Sequence, residues 1–129
     1  MKIEVSIGEI VDKISILEIK VNEVKGDKYL NVRKELEYLK EQINTEMPDF
    51  DWTDMYKLYH INKRLWDIED EIRVKESKRE FDDDFVDLAR SVYYVNDERA
   101  EVKKEINLKY NSMFVEEKSY KPYKHDNNQ

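Results

Sequence analysis

The sequence predicts an all-α fold: an antiparallel helical bundle of about four helices, the two longest forming a hairpin. Three observations carry this. Only two Gly and two Pro occur in 129 residues, too few for the many tight turns of a sheet protein. Apolar residues recur at alternating spacings of three and four through most of the chain, the period of one helix face. The charged fraction is high, 41%, but 40% hydrophobic and 12% aromatic residues supply a core that a disordered charged chain lacks. A chain of this length makes about one domain.

The first helix begins in "SIGEIVDKISILEIKVNEVKG". Ser6 with Glu9 three residues on is a capping-box pattern, and Val5 and Ile10 flank it as a hydrophobic staple. Ile10, Ile14, Leu17, Val21 and Val24 form its stripe, while Ile16 and Ile19 lie off it. The apolar sector is therefore wide, which predicts a central helix or one covered by a second subunit. Gly26 supplies the left-handed residue that ends it.

The second helix follows Asp27, with Val32, Leu36, Leu39 and Ile43 as its stripe, and "TEMPDFD" breaks it because Pro48 disfavours helix at Met47. The third is "WTDMYKLYHINKRLWDIEDEIRVKESKRE", which Asp51 and Asp54 can cap. Leu58, Ile61, Leu65, Ile68 and Ile72 form its main stripe, and Trp52, Met55, Tyr59, Asn62, Trp66, Glu69 and Arg73 a second. Asp82 to Asp84 open the fourth helix, where acids meet the positive end of the helix dipole. Its main stripe is Phe85, Leu88, Val92, Val95, Arg99, Val102 and Ile106, and Val86, Ala89, Tyr93, Asn96 and Ala100 form the second. The third and fourth helices are about 25–29 residues, roughly 40 Å long. The first two are shorter, so part of the long pair stands uncovered within one chain, which predicts a homodimer that completes the core. Residues 1–118 are expected to make a single domain and 119–129 a flexible C-terminal tail.

"YYVNDERAEV" interrupts the fourth stripe with four polar residues, Asn96 to Arg99. Asn62, Glu69, Arg73, Asn96 and Arg99 all fall on faces otherwise taken by large apolar groups. An antiparallel pairing of the long helices brings them near one another, with Asn62 furthest from the turn. A buried Arg needs an acceptor. Glu69 is the first candidate for Arg99, then Glu18, with Asp12 behind them, and Arg90 is a lesser member of the cluster. The favoured reading is an internal network that fixes helix register. Two others are an N-cap at Asn96, splitting the helix into 83–94 and 97–110, and a ligand site beside Trp66, Tyr59 and Tyr93.

Other chemistry finds little support. With no Cys, disulfides and thiolate metal sites are excluded. His60 reads as a helix-surface residue, His125 lies in the tail, and neither follows a Glu by three as a di-metal bundle site requires. Two carboxylate pairs could hold Mg²⁺, Glu9 with Asp12 and Glu98 with Glu101, but among 30 acids such spacings arise by chance. No nucleophile elbow or glycine-rich phosphate loop is present. A net charge of −7 disfavours nucleic acid. The basic-aromatic "EKSYKPYKH" suits docking of a partner or neighbouring subunit better than an RNA contact. No stretch has the uninterrupted apolar length of a signal peptide or membrane span, so the expected location is cytoplasmic.

The blocks "SIGEIVDKISILEIK", "NVRKELEYL", "LWDIEDEIR", "FVDLARSVYYVNDERAEVKKEIN" and "VEEKSY" run in order through most of the chain. They resemble a domain-of-unknown-function family of short all-helical proteins in bacteria and their phages, some encoded near sugar- or polysaccharide-assembly genes. The resemblance implies a helical fold, and it carries over no activity, cofactor or catalytic residue.

The first functional expectation is a non-enzymatic interaction or accessory module, a homodimer or paired with another protein, needing no cofactor and no metal. The alternative is a small enzyme or ligand-binding protein whose pocket lies between helices 1, 3 and 4. It would use Glu18, Asn62, Trp66, Glu69, Arg73, Arg90, Asn96 and Arg99 for a phosphorylated or nucleotide-sugar ligand, with Mg²⁺ as an optional participant.

Overall fold

Four helices account for the architecture in a computed structural model that describes residues 1–123. They are α1 (Ile7–Glu23), α2 (Asp27–Glu46), α3 (Thr53–Ser77) and α4 (Asp83–Lys109). α1 is the hub: it packs on α2, α3 and α4, and among the described residues the only other helix pairing is α3 with α4. α2 lies outside, against α1 alone. The wide apolar sector explains this. Val11, Ile14, Leu17 and Ile19 are all at most 4% exposed, Ile10, Ile16 and Val21 are half-buried, and Glu9, Lys13, Asn22 and Glu23 face outward.

The helix ends follow local chemistry. Ser6 Oγ accepts a hydrogen bond from Glu9 N–H, the first half of a capping box. The second half does not form, because the Glu9 carboxylate turns to Lys103 Nζ at 2.7 Å. Gly26 stands between α1 and α2 at φ +66°, a region that favours glycine. α2 stops at Glu46, ahead of Pro48. Asp51 Oδ1 accepts from both Thr53 N–H and Thr53 Oγ1–H at the start of α3. Asp54 is not part of that cap; its side chain is buried elsewhere. Asp82 caps α4 by accepting from Phe85 N–H. α4 then runs unbroken through Asn96, so the polar run is not a helix boundary.

The main core gathers Val11, Ile14 and Leu17 of α1, Leu36 and Ile43 of α2, Met55 and Leu58 of α3, and Ile106 of α4, with Phe50 from the loop. Phe50 packs edge-on against Trp52 at 5.0 Å. A smaller cluster, Ile61, Leu65 and Val95, continues along the α3–α4 seam. Past it, among the described residues, no third helix covers the hairpin. Ile68, Ile72, Leu88 and Val92 are only half-buried, and Val74, Phe81 and Val86 are 52%, 58% and 49% exposed. The expected mismatch in helix length is therefore a bare arm.

α1 and α4 meet most closely at Gly8. Gly8 N–H donates to Asn107 Oδ1 at 2.6 Å, and Asn107 is buried. A Cβ on Gly8 would lie 2.6 Å from the Lys103 carbonyl oxygen, a backbone atom that cannot swing aside. Gly8→Ala is expected to lose about 1–3 kcal/mol through overpacking, despite alanine's better helix propensity. Urea denaturation checks it, and an unchanged or raised midpoint would contradict the close approach.

Beyond α4 the chain turns back along that helix. Ile7 N–H donates to Ser112 Oγ, Glu116 accepts from Lys103, and the Tyr123 ring lies 4.6 Å from Tyr93. Residues 124–129, with His125 and the end of the expected tail, lie outside the described residues.

Candidate functional site

The polar residues inside α1 set the site. Asp12 and Ser15 lie three apart, next to Val11 and Ile14 on the wide buried side of α1, so both are buried, 1% and 0% exposed. Ser15 Oγ–H donates to the Asp12 backbone carbonyl. Asn62 of α3 donates from Nδ2 to Asp12 Oδ1 at 2.9 Å and to Ser15 Oγ at 2.8 Å. Arg99 of α4 completes the network: Nε–H donates to Asp12 Oδ1 at 2.9 Å, and Nη2 to Asp12 Oδ2. One carboxylate thus ties three helices together. The Asp12 hydrogen bonds push the Arg99 guanidinium further up, against the opposing effect of burial.

This corrects the expected pairing. Glu69 does not meet Arg99; it is exposed and stands 3.9 Å from Arg73 on its own helix. Asp12, a lesser candidate in the sequence, is the partner. The reason is the register of α1, which crosses α3 at Asn62, nearly two turns before Glu69. Glu18 faces α2 and pairs with Lys40 at 2.6 Å. Arg90 is exposed on α4 away from this network. Asn96 is exposed rather than buried, as are Asp97 and Glu98.

Asn62, Trp66, Glu69, Arg73, Asn96 and Arg99 nonetheless line one cleft of about 490 Å³ between α1, α3 and α4, with Ile16, Ile19, Leu65 and Asp70. On the other side of Arg99 a second hollow, about 580 Å³, opens between α4 and the returning C-terminal segment. Arg99 lies between the two. The carboxylate pairs of the sequence do not converge: Glu9 is held by Lys103, Asp12 by Arg99 and Glu98 by Arg64. Among the described residues no group of three or more His, Cys, Asp or Glu is placed to hold a metal ion.

The chain matches the family described as "Family of unknown function (DUF6165)" over residues 1–125. It belongs to that family. The match spans all four helices and the network that joins three of them. No curated protein and no solved structure matches the chain. The family is described as one of unknown function, so membership assigns no activity to the chain. Among the described residues no helix is long and apolar enough to cross a membrane.

A second polar cluster escaped the sequence reading. Asp54 is 3% exposed and accepts from Lys109 Nζ at 2.8 Å and from Tyr110 Oη at 2.6 Å. Tyr110 Oη in turn accepts from Asp51 N–H. Burial pushes the Asp54 carboxyl up, but Lys109, Tyr110 and Lys57 hold it below the usual carboxylate value. Its folded pKa is therefore depressed. The stability it contributes is full above the unfolded value near pH 4 and is lost as pH falls through the folded value. Thermal melts from pH 6 to pH 2 should fall less steeply for Asp54→Asn, which starts about 1–3 kcal/mol less stable at neutral pH. An acid limb of equal slope in both proteins would assign the pH dependence elsewhere.

Proposed function

We propose that this chain is a non-enzymatic helical interaction module that self-associates through the bare arm of α3 and α4. One observation supports this above others: past Leu65 and Val95 the hairpin has an apolar seam, and among the described residues no further helix packs on it. The arm carries a groove of about 720 Å³ lined by Val74 and Leu88, by Lys75 and Lys78, and by more acids than bases, with Asp70, Glu71, Glu80, Asp84 and Asp87 along its rim. Two antiparallel helix pairs that bury their apolar seams against each other across a twofold axis make a four-helix bundle. A second copy of the chain is the occupant that fits. Light scattering during size exclusion at micromolar concentration tests it. A dimer that Val74→Glu converts to monomer is the expected result; a wild-type monomer overturns the reading.

A second reading, small-ligand binding between α1, α3 and α4, rests on Arg99. Its side chain is held by the buried Asp12 carboxylate, remains 29% exposed and lines the cleft.

A further inference from the structure

Arg99 is built as a binding group would be. A guanidinium offers five N–H donors. Asp12 takes the Nε and one Nη2 donor, and Nη1 makes no hydrogen bond to a described residue. The Nη1–Nη2 edge is therefore unused. The group behind it is itself fixed, since Asn62 and Ser15 hold Asp12. An arginine whose rotamer is set in advance by a buried, hydrogen-bonded carboxylate loses little freedom when it grips a second anion.

The surroundings narrow the class of that anion. Trp66, Ile16 and Leu65 give the cleft an apolar wall. Two cations, Arg73 and Arg99, line it with two anions, Glu69 and Asp70, and Asp12 behind Arg99 adds a further negative charge. A site with no excess of positive charge disfavours a di- or triphosphate, whose charges would face these acids unscreened. It tolerates one negative charge placed end-on against Arg99, because carboxylate and guanidinium match in bidentate geometry.

We propose, resting on the ligand reading, that this cleft binds a small monocarboxylate with a planar or apolar body. The carboxylate sits on the free edge of Arg99, and the body lies along the Trp66 wall.

The two tryptophans make the test direct, because Trp66 lines the cleft and Trp52 packs on Phe50 away from it. Indole N–H resonances of the ¹⁵N-labelled full chain are assigned with Trp52→Phe and titrated to tens of millimolar with benzoate, inorganic phosphate and uridine monophosphate. The expected result is a saturable shift of the Trp66 signal with benzoate, Trp52 unmoved, and at least tenfold weaker response to the phosphates. Arg99→Lys, which retains a charge for Asp12, should weaken benzoate at least tenfold. Arg73→Gln, an exposed change that leaves the fold intact, serves as the second variant and should weaken it two- to fivefold. Phosphate or uridine monophosphate binding as tightly as benzoate overturns the monocarboxylate class and leaves the ligand reading standing. No saturable shift with any probe overturns both, as does full binding by both arginine variants.

Discussion

Arg99→Met is expected to destabilise the fold by about 3–5 kcal/mol, the cost of leaving a buried charge without its partner. The loss arises on the far side of the contact. Methionine fills much of the volume that arginine leaves, but the Asp12 carboxylate, 1% exposed, keeps only Asn62 as a side-chain donor. Removing the charge should therefore repair much of the damage. Asp12→Asn in the Arg99→Met background replaces an uncompensated anion by a neutral amide, and the double variant is expected to be more stable than Arg99→Met alone. Urea denaturation of the wild type, both single variants and the double variant gives the coupling energy directly. A loss below about 1 kcal/mol for Arg99→Met would mean that Asp12 draws on water, as surface ion pairs do, and that the three-helix tie is not structural.

This network marks where reading the sequence succeeds and where it stops. Helical periodicity is a property of single segments. The main stripes, the cap at Ser6, the acids that open α4 and the break at Pro48 are accordingly visible in the chain. The anomaly at Asn96–Arg99 is visible too, since polar groups on an apolar stripe are informative. The partner of Arg99 is not, because it depends on where α1 crosses α3, and no local pattern encodes a crossing register. Glu69 was the natural choice on a hairpin drawn with α3 and α4 alone. One signal pointed to Asp12: a helix with an apolar sector as wide as that of α1 must bury some of its polar residues, and Asp12 and Ser15 lie three apart inside it. Asp54 was hidden for a related reason. Its position beside Asp51 suggests a helix cap, and only the return of α4 brings Lys109 and Tyr110 against it. Gly8 is legible as rare and not as close-packed, since Lys103, the residue it touches, is 95 positions away.

Leu58→Ala should cost about 2–5 kcal/mol, whereas Leu88→Ala, the same chemical change, should cost about 1 kcal/mol in a dilute single chain. Leu58 is fully buried among residues from all four helices, so its deletion leaves a cavity that the surrounding side chains cannot fill. Leu88 is half-buried on the arm and borders an open groove, where solvent already reaches the site and little cavity forms. The contrast becomes a test of the assembly when protein concentration is varied. Self-association through the arm adds stability by mass action, and Leu88 then lies in an interface. The wild-type urea midpoint should rise with concentration, the Leu88→Ala midpoint should rise less, and the gap between them should widen. The Leu58→Ala variant should keep the concentration dependence of the wild type, since its defect lies far from the arm. If Leu88→Ala instead costs as much as Leu58→Ala at submicromolar concentration, the arm is covered within a single chain. The hairpin would then have no free face for a second copy, and the interaction reading would fall with it.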